Sequence, residues 1–262
     1  MIGVMLPPVG LLLKYWIESR SRFALSLAAL FVVCAGLVAW QEPIRAQLLT
    51  RGSNSDETAF LRSYSAYVHR FIYSGTTQPL SLFFALVLGL GGLQRERELR
   101  TAGWTLALPV QRPQFVWARG MVGLSQIVLL ALLPVVVIPV GSAMVGESYA
   151  FGQAMSHSAL WIVTHGLVFA MALLLSTVIA SQITALLVGV LVLGAHAVIA
   201  ALPALRPWRL NLNAIANGTG MPYLDPATGL LTALPWPRLA VMSIAVGLLF
   251  VLAAWLTERQ DF

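Results

Sequence analysis

Residues 23–40 read FALSLAALFVVCAGLVAW, a run without a single charge in which nine positions are Leu, Val or Phe. Each of those nine contributes roughly −0.3 to −0.6 kcal/mol to insertion into a bilayer, so the run favours the membrane by about 3–5 kcal/mol with nothing to offset it. A crossing helix needs roughly 20 mostly apolar residues, and the spacing predicts one here. A buried helix of a water-soluble core has a similar length, but it does not come with several more runs of the same kind.

Those further runs lie outward along the chain. Pro79–Leu93 falls inside a charge-free stretch from Phe71 to Gln94. Gly120–Gly146 is interrupted by Pro134 and Pro139, so a kink or an early end is expected there. Ser148–Leu205 holds no charged residue at all and is far too long for one crossing at about 1.5 Å per residue. It divides near Ser181-Gln182. A last run covers Leu239–Leu256. The expectation is an all-α integral membrane protein, a six-helix transmembrane bundle forming a single domain over 1–262. Its spans fall near 23–40, 77–93, 119–140, 158–180, 183–204 and 238–256. Trp40, Trp117, Trp161, Trp236 and Trp255 fall near these helix ends, where an interfacial belt places tryptophan.

Composition agrees. Of 262 residues, 58% are hydrophobic and 10% charged, against about 25% charged in soluble domains. The net charge of +6 does not signal nucleic acid, because the arginines are dispersed among membrane-flanking segments and form no basic stripe. Their expected partners are membrane lipids. Cys34 is the only cysteine, which excludes an intrachain disulfide, and with four scattered histidines it makes no metal motif. The N-terminus MIGVMLPPVGLLLK lacks a basic n-region, so no cleaved signal peptide is expected.

Before the first span, VGLLLKYWIESRSR (9–22) carries Lys14, Glu18, Ser21 and Arg22 on one helical stripe. This predicts an N-terminal interfacial elbow helix, the alternative being an imperfect early start to the span itself. Placing both termini in the cytoplasm leaves nine Lys and Arg inside and seven outside, over longer outer segments at 41–76 and 205–237. Asn217-Gly218-Thr219 matches a glycosylation sequon, a triplet that chance supplies often.

Ion-coupled carriers usually hold their ion with charged groups inside the membrane. None of the ten acidic residues falls in an expected span, although neutral oxygens leave sodium open. A phosphate-binding loop of the Walker type needs a lysine after a glycine-rich turn. The only lysine is Lys14, preceded by Gly10-Leu-Leu-Leu. Energy for active transport must then come from another subunit, and the chain must offer that subunit a docking feature.

The candidate is Gln94–Arg119, QRERELRTAGWTLALPVQRPQFVWAR. Arg95, Glu96, Arg97 and Glu98 abut the second span. A short helical stretch follows with Leu99, Ala102 and Leu106 on one face and Arg100, Thr101, Trp104 and Thr105 mostly on the other, until Pro109 ends it. This resembles the permease subunits of ABC-2-type transporters, which show a charged arginine-glutamate start, then glycine-threonine, leucines, a proline turn and a basic residue opening the next span. Here Arg95-Glu96-Arg97-Glu98, Thr101, Leu106 and Leu108, Pro109-Val110-Gln111-Arg112 and Arg119 take those places. Arg100 stands where glycine is usual, Gln111 where serine is, and Arg119 where lysine is, so no close subfamily is assigned. The terminal stretches LLLKYWIESRSRF and TERQDF also look like that family.

The resemblance implies a permease in the inner membrane of a prokaryote that pairs with a second copy, a homodimer, and binds cytoplasmic ATPase subunits. ATP and magnesium would sit in those partners, with no cofactor or catalytic residue in this chain. Segment 94–118 would be the coupling helix, with Arg95, Glu96, Arg97, Glu98, Arg100, Thr101, Pro109 and Arg112 as polar or turn residues and Trp104 as apolar anchor. The same charges also suit a solvated membrane exit.

His165 and His196 fall within the fourth and fifth spans, where they suit intramembrane polar contacts. A neutral histidine bonded to a neighbouring helix is the commoner reading, and His69 and His157 fall near or beyond the outer boundary. Gly89, Gly91, Gly92 and Gly166 permit close helix approach. Two other readings remain open: an intramembrane enzyme acting on lipid or peptide, although no glycine-framed nucleophile surrounds Ser125, Ser176 or Ser181, and a structural subunit of a membrane complex.

Overall fold

A chain within lipid must satisfy its backbone internally, in helices or a closed barrel, because no water is there to bond exposed N–H and C=O groups, and long unbroken apolar runs suit helices. The computed structural model describes residues 7–51, 63–90, 110–203, 211–219, 223–225 and 227–259. Among these residues the backbone is helical apart from short connections, and an isolated antiparallel bridge joins Leu224 to Leu231. In chain order the helices are α1 (Val9–Ala39), α2 (Gln41–Arg51), α3 (Tyr64–Tyr67), α4 (Thr77–Gly89), α5 (Arg112–Met144), α6 (Phe151–Val178), α7 (Gln182–Ala201), α8 (Leu212–Asn217) and α9 (Trp236–Arg259). Between α3 and α4 the chain winds as a π-helix over Val68–Tyr73.

Six of these units are long and apolar enough to cross a membrane: α1, the run Tyr64–Gly89, α5, α6, α7 and α9. The architecture is that of an all-helical multi-pass membrane protein. Residues 9–22, expected as a separate elbow, form the first turns of α1 without a break. α5 starts at Arg112 and runs through Pro134 and Pro139 to Met144, so neither proline ends it. At 33 residues it is about 50 Å long, longer than a hydrocarbon core of about 30 Å. Gln111 opens α5 with a reciprocal cap, its backbone N–H donating to Gln114 Oε1 at 3.0 Å. Ser181 caps α7 by accepting from Thr184 N–H at 3.4 Å.

Packing divides the helices into a centre and a rim. The most apolar windows of α5 and α6 are 56% and 61% buried, against 28% for α1 and α9 and 17% for α7. α5 and α6 lie side by side, α1 packs on α5, α4 on α6, and α9 on both. Two glycines bring their helices close against α6. A Cβ on Gly89 would lie 2.5 Å from Ala172 Cβ and 2.6 Å from the Phe169 carbonyl oxygen, so α4 and α6 touch backbone to backbone. A Cβ on Gly123 would overlap the Phe169 ring. Trp40 and Trp236 are exposed as a belt requires, but Trp161 is wholly buried inside α6. The bundle therefore spends one expected interfacial tryptophan on its core.

Two ends can be distinguished. The terminal end gathers the start of α1, the ends of α4 and α9 and the start of α5; the opposite end carries α2, the π-helix, α8 and the Leu224–Leu231 bridge.

Candidate functional site

The residues expected to couple the chain to an ATPase, Arg95, Glu96, Arg97, Glu98, Arg100, Thr101, Trp104 and Pro109, lie outside the described residues, as do Gly91 and Gly92. Arg112 is the first residue of α5. What the structure does describe is the ground on either side of that segment, and it is a polar junction.

The carbonyl of Leu90, the residue after α4, accepts from two guanidinium groups. Arg22 Nη1 reaches it from α1 at 3.0 Å and Arg119 Nη2 from α5 at 2.6 Å. The end of an α-helix presents unpaired carbonyls and a partial negative charge, which cations complement. Three spanning helices thus meet at one backbone oxygen that is 1% exposed at the residue level. Around it, Gln126 Nε2 donates to Ser19 Oγ at 2.7 Å. The Arg119 guanidinium lies 5.9 Å from the Tyr15 ring centroid, and Lys14 pairs with Glu18 at 3.8 Å. Tyr15, Glu18, Arg22, Arg119 and Gln126 border a small cavity there. The flanking positions of Arg22 and Arg119 are legible in sequence; their convergence on Leu90 needs the fold.

A second polar centre sits in the opposite half of the bundle. His165 Nδ1 faces the Trp161 carbonyl at 2.7 Å, which can only accept, so this nitrogen carries the proton. Nε2 is then bare and accepts from Ser81 Oγ at 2.7 Å. The pair ties α6 to α4. Ser81 Oγ also lies 2.8 Å from the Gln78 carbonyl. His196 Nε2 accepts the Leu212 backbone N–H at 3.2 Å, holding the first residue of α8 against α7. The last residue of α8 is held too, since His69 Nε2 donates to the Asn217 carbonyl at 2.8 Å. Asn217 Oδ1 accepts from the Thr219 hydroxyl at 2.7 Å and the residue is buried, so its amide is not presented for glycosylation.

His69 and His157 pack against each other within the bundle. They are 7% and 0% exposed, with ring centroids 5.5 Å apart. Tyr73 stacks on His157 at 4.1 Å and meets the edge of Trp161 at 5.6 Å, with Tyr149 at 6.4 Å. Burial pushes the Tyr149 phenol up, so it stays neutral. In this cluster Tyr73 Oη, Tyr149 Oη, Ser158 Oγ, Trp161 Nε1 and both ring nitrogens of His157 find no hydrogen-bond partner among the described residues. The Gly229 backbone lies beside His157 without completing a well-formed bond. An unpaired buried polar group costs about 1–3 kcal/mol. Five such side chains together would rival the roughly 5–15 kcal/mol that stabilises an entire domain.

No family model matches the chain, and no curated protein matches it. No group of three or more metal-ligating side chains is assembled among the described residues.

Proposed function

We propose that this chain is the membrane-spanning permease subunit of an ATP-driven exporter, worked by a separate cytoplasmic ATPase and paired with a second copy of itself. In this reading the terminal end faces the cytoplasm of a prokaryote, and the start of α1 serves as the amphipathic entry to the membrane. Segment 94–118 seats in the ATPase. The observation that carries the reading beyond the sequence resemblance is the clasp on Leu90. A push on the segment that follows Leu90 would be delivered to the end of α4, and through Arg22 and Arg119 to α1 and α5. A bundle without fuel chemistry of its own needs such a transmission point.

The test is co-purification of an ATPase with the chain from its native membrane, followed by ATP hydrolysis and transport in liposomes. Trp104→Ala and Glu98→Ala are expected to uncouple hydrolysis from transport while the assembly persists. Unchanged coupling in both variants refutes the docking role.

One observation favours a second reading, an intramembrane enzyme acting on lipid or peptide. Ser81 and His165 make the contact of an activated nucleophile and its base. They are 2% and 4% exposed, which suits helix-to-helix bonding better than turnover. Hydrolysis by the purified chain alone, abolished in Ser81→Ala, would establish the second reading and displace the first.

A further inference from the structure

We infer that the Tyr73 cluster is a binding site for ordered water inside the membrane-spanning bundle. The inference stands apart from the exporter reading, because it rests on side-chain chemistry alone. Tyr73 at the end of the π-helix packs its ring against His157 and Trp161 of α6 and beside Tyr149, and Ser158 follows His157 in the same helix. Four of them are fully buried and Tyr149 is 7% exposed. Buried polar groups in folded proteins are almost always paired, with protein or with ordered water. Here the protein supplies no partner to these atoms among the described residues.

The chemistry of the atoms selects the ligand. Trp161 N–H only donates, the hydroxyls of Tyr73, Tyr149 and Ser158 both donate and accept, and a neutral His157 ring does one of each. A molecule that matches this mixture must itself donate and accept, and water does. A cation would ask for carboxylates, carbonyls or a triad of ligating side chains, and no such triad is present among the described residues. An anion would ask for a cationic side chain, whereas the cluster is built from neutral ones. Size agrees. The rings are already in contact, with Tyr73 4.1 Å from His157 and 5.6 Å from Trp161, so a ligand would meet only their polar edges and would have to be small. Two or more bridging waters would link the π-helix to α6 where direct side-chain bonds are missing. The bundle would then contain a junction that can exchange partners without breaking protein–protein bonds.

The test is X-ray hydroxyl-radical footprinting of the full chain in lipid nanodiscs, which labels buried side chains beside bound water. Tyr67 is the internal reference. It is as buried as Tyr73, at 0% exposure, but its hydroxyl donates to the Leu37 carbonyl at 2.7 Å. Tyr73 and Trp161 are expected to be labelled severalfold faster than Tyr67; equal rates overturn the inference. The sign of a stability change gives the second arm. Ser158→Ala and Tyr73→Phe delete only the polar atom. If water bonds them, each lowers Tm by about 2–4 °C; if the atoms are dry and unpaired, deletion leaves Tm unchanged or raises it, and the site does not exist.

Discussion

Gly89→Ala adds a single methyl where α4 ends against α6, and the structure sets its cost. The new Cβ would stand 2.5 Å from Ala172 Cβ and 2.6 Å from the Phe169 carbonyl oxygen, whereas carbon contacts settle near 3.5–4.0 Å. The two helices would have to part by about 1 Å, because neither obstacle is a side chain that can turn away. Overpacking of this kind costs about 1–3 kcal/mol, partly offset by the 0.5–1 kcal/mol that alanine gains over glycine within a helix. A net loss of about 1–2 kcal/mol corresponds to a fall in Tm of roughly 2–8 °C for a chain of this size. Thermal unfolding followed by tryptophan fluorescence in nanodiscs reads it directly. Gly194→Ala is the matched control, since its Cβ would meet nothing within 4 Å inside α7, and it is expected to raise Tm. If both substitutions shift Tm in the same direction, the backbone contact between α4 and α6 is not real. Leu90 follows Gly89, so the separation should also loosen the arginine clasp and, if the exporter reading holds, weaken the proposed coupling.

Other perturbations test separate parts of the molecule. Arg22→Gln and Arg119→Gln should each cost about 1 kcal/mol, given half-buried guanidinium groups sharing one acceptor. The double variant should cost more than the sum, because only then is the Leu90 carbonyl left unpaired; a double-mutant cycle on Tm checks this. Gln153 bonds both the N–H and the C=O of Leu231, each at 2.9 Å. Gln153→Leu should therefore speed protease nicking of the 223–235 turn by tenfold or more. The Asp225 carboxyl is held below its usual range, first by the Thr228 hydroxyl and then by the Ala227 N–H. Its contribution to turn order is present above the ordinary carboxylate pKa and lost as pH falls through the depressed one. Thr228→Ala should move its titration upward, as read from carboxyl carbon shifts in ¹³C-aspartate-labelled protein.

The spanning helices were legible because each rests on a long apolar run that needs no knowledge of its neighbours. FALSLAALFVVCAGLVAW is a helix wherever it sits. The boundaries were harder. Lys14, Glu18 and Arg22 broke the apolar pattern and suggested a separate elbow, although within α1 they lie toward the junction with α5. Pro134 and Pro139 suggested a kink or an early end, but the helix runs through both to Met144, as prolines are tolerated in spanning helices whose neighbours can re-satisfy the freed backbone groups. The polar centres were the least legible. His165 and His196 stand out as histidines in apolar runs, whereas their partners, Ser81 and the Leu212 amide, are unremarkable in sequence. Nothing in the sequence pairs His69 with His157, which lies much further along the chain. Only the π-helix, which has no sequence signature, turns His69 and Tyr73 onto α6.

That π-helix also governs how the chain tolerates changes in length. Its wide turns are closed by bonds such as Ser74 N–H to the His69 carbonyl at 2.8 Å, and each holds roughly one residue more than an α-helical turn. Deleting any one residue between Val68 and Tyr73 would allow ordinary winding, and because the wide turn holds about one residue more than an α-helical turn, everything upstream would keep nearly the same phase relative to α4. Tyr64 would still face Ser142, and Tyr67 the Leu37 carbonyl, contacts now made at 2.6 and 2.7 Å. The surplus residue is a reserve of chain length, and a one-residue loss here should be tolerated better than one inside α5 or α6, where regular winding has nothing to absorb the shift.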